Sequence, residues 1–244
     1  MTFETRTIFS IIIPVLHEGE RILSLIDRIH ALRPEEPYEI IVVDGGPDSD
    51  TLAPLRERKD VMTLASPTGR ARQMNKGAET ARGEILLFLH ADTRLPPGAL
   101  EKITEALRGN DAVGGAFDLG IASEKLCFRV IECASSIRSR LTRIPYGDQA
   151  IFVKKEYFDL IGGYRDIPLM EDIELMQRIR KRGNRICILK DRVETSPRRW
   201  DKEGILFCTL RNWTLSTLYY LGVSPETLNR FYRHGKDEIG RAHV

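Results

Sequence analysis

Short apolar, β-rich runs alternate with segments of helical period through the first half of the chain. Ile8–Val15 reads as a strand buried on both faces, with Pro14 forcing its end. Ile22, Leu25, Ile26 and Ile29 then recur at helical spacing, which predicts an amphipathic helix over Glu18–Leu32. Glu39–Val43, Val61–Ala65 and Ile85–Leu89 are further strands. Between them fall a short helix, capped by Asp48 or Asp50 and running to about Lys59, and a second over Ala71–Arg82. Pro97 and Gly98 open a helix to Leu107. Near-continuous apolar strands separated by helices mean parallel βαβ units with both sheet faces covered. Ligands of such sheets sit beyond the carboxyl ends of the strands. Pro14–Glu18, Asp44–Asp48 and His90–Thr93 therefore belong to one rim.

The second half changes character. Val113–Leu119 is a strand, Lys125–Leu141 a helix, Ala150–Val153 a strand, and Ile161–Tyr164 a turn. Leu169, Ile173, Met176 and Ile179 mark a helix ending at Gly183, and Ile186–Leu189 is a strand. Gly204–Leu221 is a long helical pattern and Pro225–Arg233 a short one. With no linker, composition break or repeat, the expectation is a mixed α/β domain over 1–200 with a helical extension, 201–244, packed on or beside it. On that extension Leu206, Leu210, Trp213, Thr217 and Tyr220 line one side, with Leu221 nearby. Such a stripe is usually core or a dimer seam; a membrane-interface surface is the other reading.

Composition narrows the classes. The 244 residues carry 37 basic and 35 acidic side chains, a net +2, which argues against a nucleic-acid partner. The run Arg178–Arg182 is then a solvated helix end. Four scattered cysteines with no CxxC spacing argue against a zinc ribbon or a secreted disulfide framework. Met1–Ser10 carries Glu4 and Arg6 and lacks a cleavable signal pattern. The longest charge-free run, Asn212–Pro225, falls short of the roughly 20 apolar residues of a spanning helix. A cytoplasmic protein is expected, with contact at the inner face of the membrane left open.

Five clusters carry candidate chemistry. His90-Ala91-Asp92 ends a buried strand, where a carboxylate beside a phosphate site suits Mg²⁺ or Mn²⁺; Asp92 capping a turn is the plain alternative. Asp44-Gly45-Gly46 offers a carboxylate to a base or ribose, and is also an ordinary turn. Arg70 and Arg72 open a helix after Gly69, an anion site or a solvated basic face. Glu171-Asp172 lies in the first turn of a helix, either offsetting its dipole or supplying a general base. Arg198-Arg199-Trp200 could hold a leaving diphosphate and wall an acceptor, or be a surface pair beside a packed Trp.

Read together and in this order, the segments from about residue 8 to 200 resemble the family 2 glycosyltransferases of GT-A fold. The resemblance implies a Rossmann-like nucleotide-diphospho-sugar transferase fold with a mixed, mainly parallel central sheet flanked by helices. Ile12–Glu18 looks like the opening strand that holds the nucleotide through Pro14 and Glu18, with His17 where Asn is usual. Asp44 matches the base-contacting aspartate; Arg72, Asn75 and Gly77 match the helix bordering the donor. His90-Ala91-Asp92 is similar to the DxD motif, which makes Asp92 the metal carboxylate. Glu171-Asp172 resembles the Glu-Asp base motif, with Asp172 the usual base, and Asp148, Gln149 and Trp200 fall on the acceptor side. Gly69–Asn75, Leu89–Thr93, Gly147–Ala150 and Arg198–Trp200 also resemble the bacterial subgroup associated with arsenosugar biosynthesis.

Two departures matter. His90 replaces the first DxD aspartate and is a candidate contact to ribose or phosphate. Ser196 stands where a processive synthase has the Gln of QxxRW, so single-sugar transfer is favoured. The implied partners are a nucleotide-diphosphate sugar, a small-molecule or lipid-linked acceptor, and a second copy if the C-terminal stripe is a dimer seam. A sugar-phosphate nucleotidyltransferase would want a Gly-rich loop after the first strand, where Pro14–Glu18 stands instead. A non-catalytic nucleotide-sugar sensor would not need Asp44, Asp92 and Asp172 together.

Overall fold

The computed structural model describes residues 8–47, 51–108 and 111–232. Its first half is built as the apolar runs require. Strands β1 (Phe9–Val15), β2 (Tyr38–Asp44), β3 (Val61–Ala65) and β4 (Ile85–Phe88) pair in parallel in the order β3-β2-β1-β4. Helices α1 (Arg21–Ala31) and α2 (Arg70–Thr80) make the crossovers from β1 to β2 and from β3 to β4, and α3 (Ala99–Arg108) follows β4. In α1, Ile22, Leu25, Ile26 and Ile29 are buried in one core with α3. Each such side chain stabilises the fold by about 1.5–3 kcal/mol. A second core on the opposite face gathers Met74 and Ala78 of α2 with residues of the later helices.

Beyond β4 the sheet continues through β7 (Phe152–Lys154), β6 (Ala112–Ile121), β8 (Arg185–Thr195) and the two-residue β5 (Thr93–Arg94). Strand β7 runs antiparallel to β4 and to β6, and β5 antiparallel to β8, so only these two oppose the common direction. The outcome is the mixed, mainly parallel sheet. Around it lie α4 (Leu126–Thr142), α5 (Lys155–Leu160), α6 (Glu171–Lys181), α7 (Arg198–Glu203) and α8 (Ile205–Tyr220), with a last helix over 225–232.

Several expectations are corrected. Strand β1 ends at Val15 as expected, but with Pro14 inside it as the penultimate residue. Ile12 points its carbonyl at Leu89 and Val15 points its own at Gly45, so the nitrogen of Pro14 faces the β4 side. There β4 has already ended at Phe88, and the missing N–H costs no ladder bond. The short helix before β3 is one 3₁₀ turn, Ala53–Leu55; its expected caps Asp48 and Asp50 lie outside the described residues, as does Arg233. The six-residue α5 and the two-residue β5 are too short to show a period, and β8 extends six residues past Leu189. Gly204, at φ 88°, separates α7 from α8. The stripe on α8 is not core: Cys208, Leu215 and Ser216 are its buried residues.

Candidate active site

The rim at the end of β4 is a turn closed by the N–H of Thr93 donating to the carbonyl of His90 (3.0 Å). The carbonyl of Asp92 accepts from the N–H of Ser196 at 3.1 Å, tying this turn to the end of β8. Opposite it, Met170 holds the left-handed conformation (φ 69°) and turns the chain into α6. Such a non-glycine residue costs of order 1–3 kcal/mol, a strain found where function fixes the backbone. The turn sets Glu171 and Asp172 at the start of α6.

Asp172 is locked by the backbone. Its Oδ2 accepts from the N–H of Gly147 (2.6 Å) and its Oδ1 from that of Ile173 (2.7 Å). A Cβ at Gly147 would lie 2.9 Å from His90 Nε2 and 3.3 Å from Asp172 Oδ2, so only glycine lets the three groups meet. Glu171 turns away to Arg70, whose Nε lies 2.7 Å from its Oε1.

Arg70, His90, Gly147 and Asp172, with Asp92, Asp148 and Arg199, line a cleft of about 340 Å³, which Glu171 does not reach. Asn212 and Ser216 of α8 form part of its wall, so the C-terminal extension contributes to the site. Burial pushes Asp148 up to about 6, reinforced by Asp172 and Asp92 and opposed by Arg138 and Arg70. Burial, then Arg70 and Arg199, pulls His90 down to about 3, so its ring is neutral. Burial also raises Glu171, against the pull of Arg70, while Glu171 raises the Arg70 guanidinium.

Other candidates stand elsewhere. Asp44 is fully buried at the end of β2, two strands or roughly 10 Å from β4 by strand spacing. Its Oδ1 accepts from Gly46 N–H (2.8 Å), and its Oδ2 has no hydrogen-bond partner. Arg72 pairs with Asp166 (2.8 Å) and does not line this cleft. Asn75 clamps the backbone of Tyr164 in both directions, at 2.8 and 2.9 Å, which is a structural task. Gly77 lets α2 approach β1, since a Cβ would lie 2.5 Å from Ile12. Gln149 is buried, accepting from Ser139 (2.8 Å) and donating to Phe117 (2.9 Å), and does not reach the cleft.

Arg198 lies 4.0 Å from Glu18 and lines a smaller cavity of about 180 Å³ with Arg21, Arg28 and Arg94; Ala91 and Asp92 border it too. Pro14 stays within β1. Trp200 packs edge-on against Phe128 (5.7 Å) and walls the main cleft, with its Nε1 unpartnered. Gln73 was not singled out from sequence: its buried amide donates to the carbonyls of Val15 (2.7 Å) and Val43 (2.8 Å). It explains Gly45, where a Cβ would lie 2.8 Å from Gln73 Cδ.

A divalent cation fits these donors in one way. Among the described residues, no three His, Cys, Asp or Glu side chains gather closely enough to hold a metal alone. A site completed by substrate phosphates needs only one or two carboxylates. Asp92 lines the cleft for that, and Asp148 Oδ1 beside it is buried without a hydrogen-bond partner.

The sheet order, the rim and the carboxylate-lined cleft define a GT-A-like mixed α/β fold. The solved mannosyltransferase PcManGT from Pyrobaculum calidifontis, in complex with GDP-Man and Mn²⁺, superposes with a TM-score of 0.59 at 20% identity. That match covers 79% of this chain and 57% of the other. S. aureus TarS 1-349 in complex with UDP-GlcNAc gives 0.58 at 16%, covering 78% and 58%. At these identities the likeness is one of fold.

Glycosyl transferase family 2 matches residues 10–165, and the chain belongs to that family. It is 29% identical over 115 residues to the undecaprenyl-phosphate 4-deoxy-4-formamido-L-arabinose transferase of Aeromonas hydrophila, covering 43% of this chain and 35% of the relative. With a PGL/p-HBAD biosynthesis glycosyltransferase of Mycobacterium bovis it shares 30% over 179 residues, covering 64% and 62%. The chain thus spans less than two thirds of the length of either relative. Helices α6 to α8 lie beyond the family match.

Proposed function

We propose that the protein is an inverting glycosyltransferase that moves a single sugar from a nucleotide-diphosphate donor to an acceptor hydroxyl, with Mg²⁺ or Mn²⁺. The observation that carries this reading is Asp172: a carboxylate fixed by two backbone N–H groups, facing the cleft that Asp92, Arg70 and Arg199 also line. The names of the family relatives, an undecaprenyl-phosphate 4-deoxy-4-formamido-L-arabinose transferase and a PGL/p-HBAD biosynthesis glycosyltransferase, and the UDP-GlcNAc and GDP-Man of the structural neighbours support it.

In this reading Asp172 takes the proton of the acceptor hydroxyl as the oxygen attacks the anomeric carbon. The bond from that carbon to the β-phosphate oxygen breaks on the opposite face. Its electron pair leaves with the nucleoside diphosphate, and the configuration inverts. Arg70 and Arg199 meet the charge that builds on the departing diphosphate. Asp44, with its unpartnered oxygen, is suited to accept from the base or ribose. A divalent cation shared by Asp92 and the diphosphate would supply Lewis acidity. Neutral His90 adds no charge there, and the absence of a side chain at Gly147 leaves room for its ring next to Asp172. The motifs shared with the subgroup associated with arsenosugar biosynthesis support assignment to it, and the donor and acceptor are left to experiment.

The test is a panel of UDP- and GDP-sugars with Mn²⁺, read as nucleoside diphosphate release in the wild type and in Asp172→Asn. Loss of a general base should lower turnover about 10³-fold, with donor affinity within twofold. Full turnover in the variant would remove Asp172 as the base.

A further inference from the structure

Thirteen large hydrophobic side chains are exposed among the described residues, and ten of them lie on α4, on α8 or at Leu221 just after it. On α4 these are Leu126, Val130, Ile137 and Leu141, which share one face by helical spacing. On α8, Leu206, Leu210, Trp213 and Tyr220 do the same. Stripes of this kind ordinarily face a core. Here Leu126 is 82% and Leu206 73% exposed.

Charge distinguishes what could cover them. The two helices carry Arg129, Arg138, Arg140 and Arg211 and a single acid, Glu132, which is buried; Arg129 pairs with Glu132, Arg140 with Asp118 and Arg211 with Glu203, so Arg138 is the cation left without an ion pair among the described residues. Lys125 and Arg143 flank α4. Lys125 is paired with Asp201, so the helix pair and its ends offer apolar and aromatic groups with the uncompensated charge of Arg138 and Arg143 and no exposed carboxylate of their own. A two-fold contact with a second copy would bring this same face, with no exposed carboxylate of its own, against the charge of Arg138 and Arg143. An anionic lipid surface complements both the charge and the aromatic residues.

Between α4 and α8 runs a groove of about 330 Å³, walled by Leu119, Ile131, Trp213 and Tyr220. It is continuous with the catalytic cleft, because Tyr146, Asp148, Trp200, Asn212 and Ser216 line both. Arg138 stands at this junction with its guanidinium carbon 3.3 Å from the centroid of the Tyr146 ring, and forms no ion pair among the described residues.

Building on the transferase reading, we propose that the α4–α8 face docks on an anionic bilayer and that the groove takes the hydrocarbon chain of an amphiphilic acceptor drawn from it. The polar end of that acceptor then enters the cleft toward Asp172. No helix among the described residues is long and apolar enough to cross a membrane, so the contact is peripheral.

The experiment is density-gradient flotation of the full chain with vesicles of phosphatidylglycerol and phosphatidylcholine, compared with phosphatidylcholine alone. The protein should float with the anionic vesicles. The double variant Val130→Glu/Leu210→Glu, outside both groove and cleft, should float at least tenfold less with an unchanged thermal midpoint. Trp213 and Trp200 are the two tryptophans of the chain. In a Trp200→Phe background, lipids brominated on the acyl chain should quench Trp213 emission.

Absence of flotation with anionic vesicles overturns the proposal, as does equal flotation of the double variant. A wild-type dimer that the double variant converts to monomer, with no vesicle binding by either, assigns the face to self-association instead. Donor binding, measured by calorimetry without vesicles, separates the two readings. Its failure removes the transferase assignment, while failed flotation with intact donor binding removes only the docking face.

Discussion

Helix α1 buries Ile22, Leu25, Ile26 and Ile29 against the sheet, whereas α8, with an equally regular stripe, leaves Leu206, Leu210 and Trp213 in solvent. The difference lies in the other face of each helix. Arg21, Asp27 and Arg28 mark the solvent side of α1, so only one orientation is open to it. In α8 the sole charge is Arg211, and the face turned to the protein is made of Cys208, Leu215 and Ser216. A helix apolar on both sides can pack inward by its smaller residues and keep its larger ones for another surface. Helical period thus reports that a partner exists without saying whether the chain itself supplies it.

The strongest test of this contrast is truncation on the buried side. Ile22→Ala should lower stability by about 2–5 kcal/mol, the range for large-to-small changes in a core that relaxes incompletely. Urea unfolding would read this directly. A loss below 1 kcal/mol would mean that α1 is held no more firmly than the exposed stripe of α8.

Polar groups divide in the same way. At the ends of β1 and β2 the Gln73 amide is matched by two carbonyls, while in the cleft Asp148 keeps a buried oxygen unpaired. Gln73→Ala should cost about 1–3 kcal/mol, because the carbonyls of Val15, which keeps the N–H of Gly45, and Val43 lose a buried amide donor. Gln73→Glu should recover little, since its acceptor oxygens face those same carbonyls. A neutral Gln73→Ala would show that water replaces the amide.

The unpaired side has a pH signature. Asp148 titrates near 3.9 when unfolded and at about 6 when folded. Between these values the native state binds more protons, so stability falls as pH rises. The contribution is complete below about 4 and lost above about 6. The slope is at most about 1.4 kcal/mol per pH unit. Asp148→Asn should remove it, so in EDTA the variant gains on the wild type from pH 4 to pH 7. Parallel stability curves would show that Asp148 is solvated in the folded protein.

Much of the parallel half is legible in sequence, because strands buried on both faces, such as Ile11–Ile13 and Ile40–Val43, read as unbroken apolar runs. Their topology then brings Asp92 to the rim, and the acidic first turn of α6 brings Asp172 to face it. What escapes is decided by contacts distant in sequence. Arg72 and Asn75 occupy the expected helix, yet the loop at Tyr164–Asp166 claims both side chains. Gly45 looks like turn chemistry, but a side chain 28 residues later sits where its Cβ would be. Pro14 looks like a strand end, and only the side to which its nitrogen points, with the length of the neighbouring β4, shows why it is tolerated. Periodicity carries no information about those pairings.

The smallest effect is expected at Leu210, where the comparison is sharpest. Its side chain is 51% exposed, so truncation opens no cavity and removes little packing. Leu210→Ala should therefore change stability by less than about 0.5 kcal/mol without lipid, as surface substitutions usually do. The same deletion of a branched aliphatic group is several-fold costlier at Ile22, although both belong to regular helical stripes. A loss above 1 kcal/mol at Leu210 would mean that the stripe is covered in solution. Because anything that binds only the folded chain stabilises it by mass action, such a loss would grow with protein concentration if a second copy supplied the cover. A small loss at every concentration leaves the stripe free for a lipid surface, and α8 then stays docked through its opposite face, where Cys208, Leu215 and Ser216 are buried.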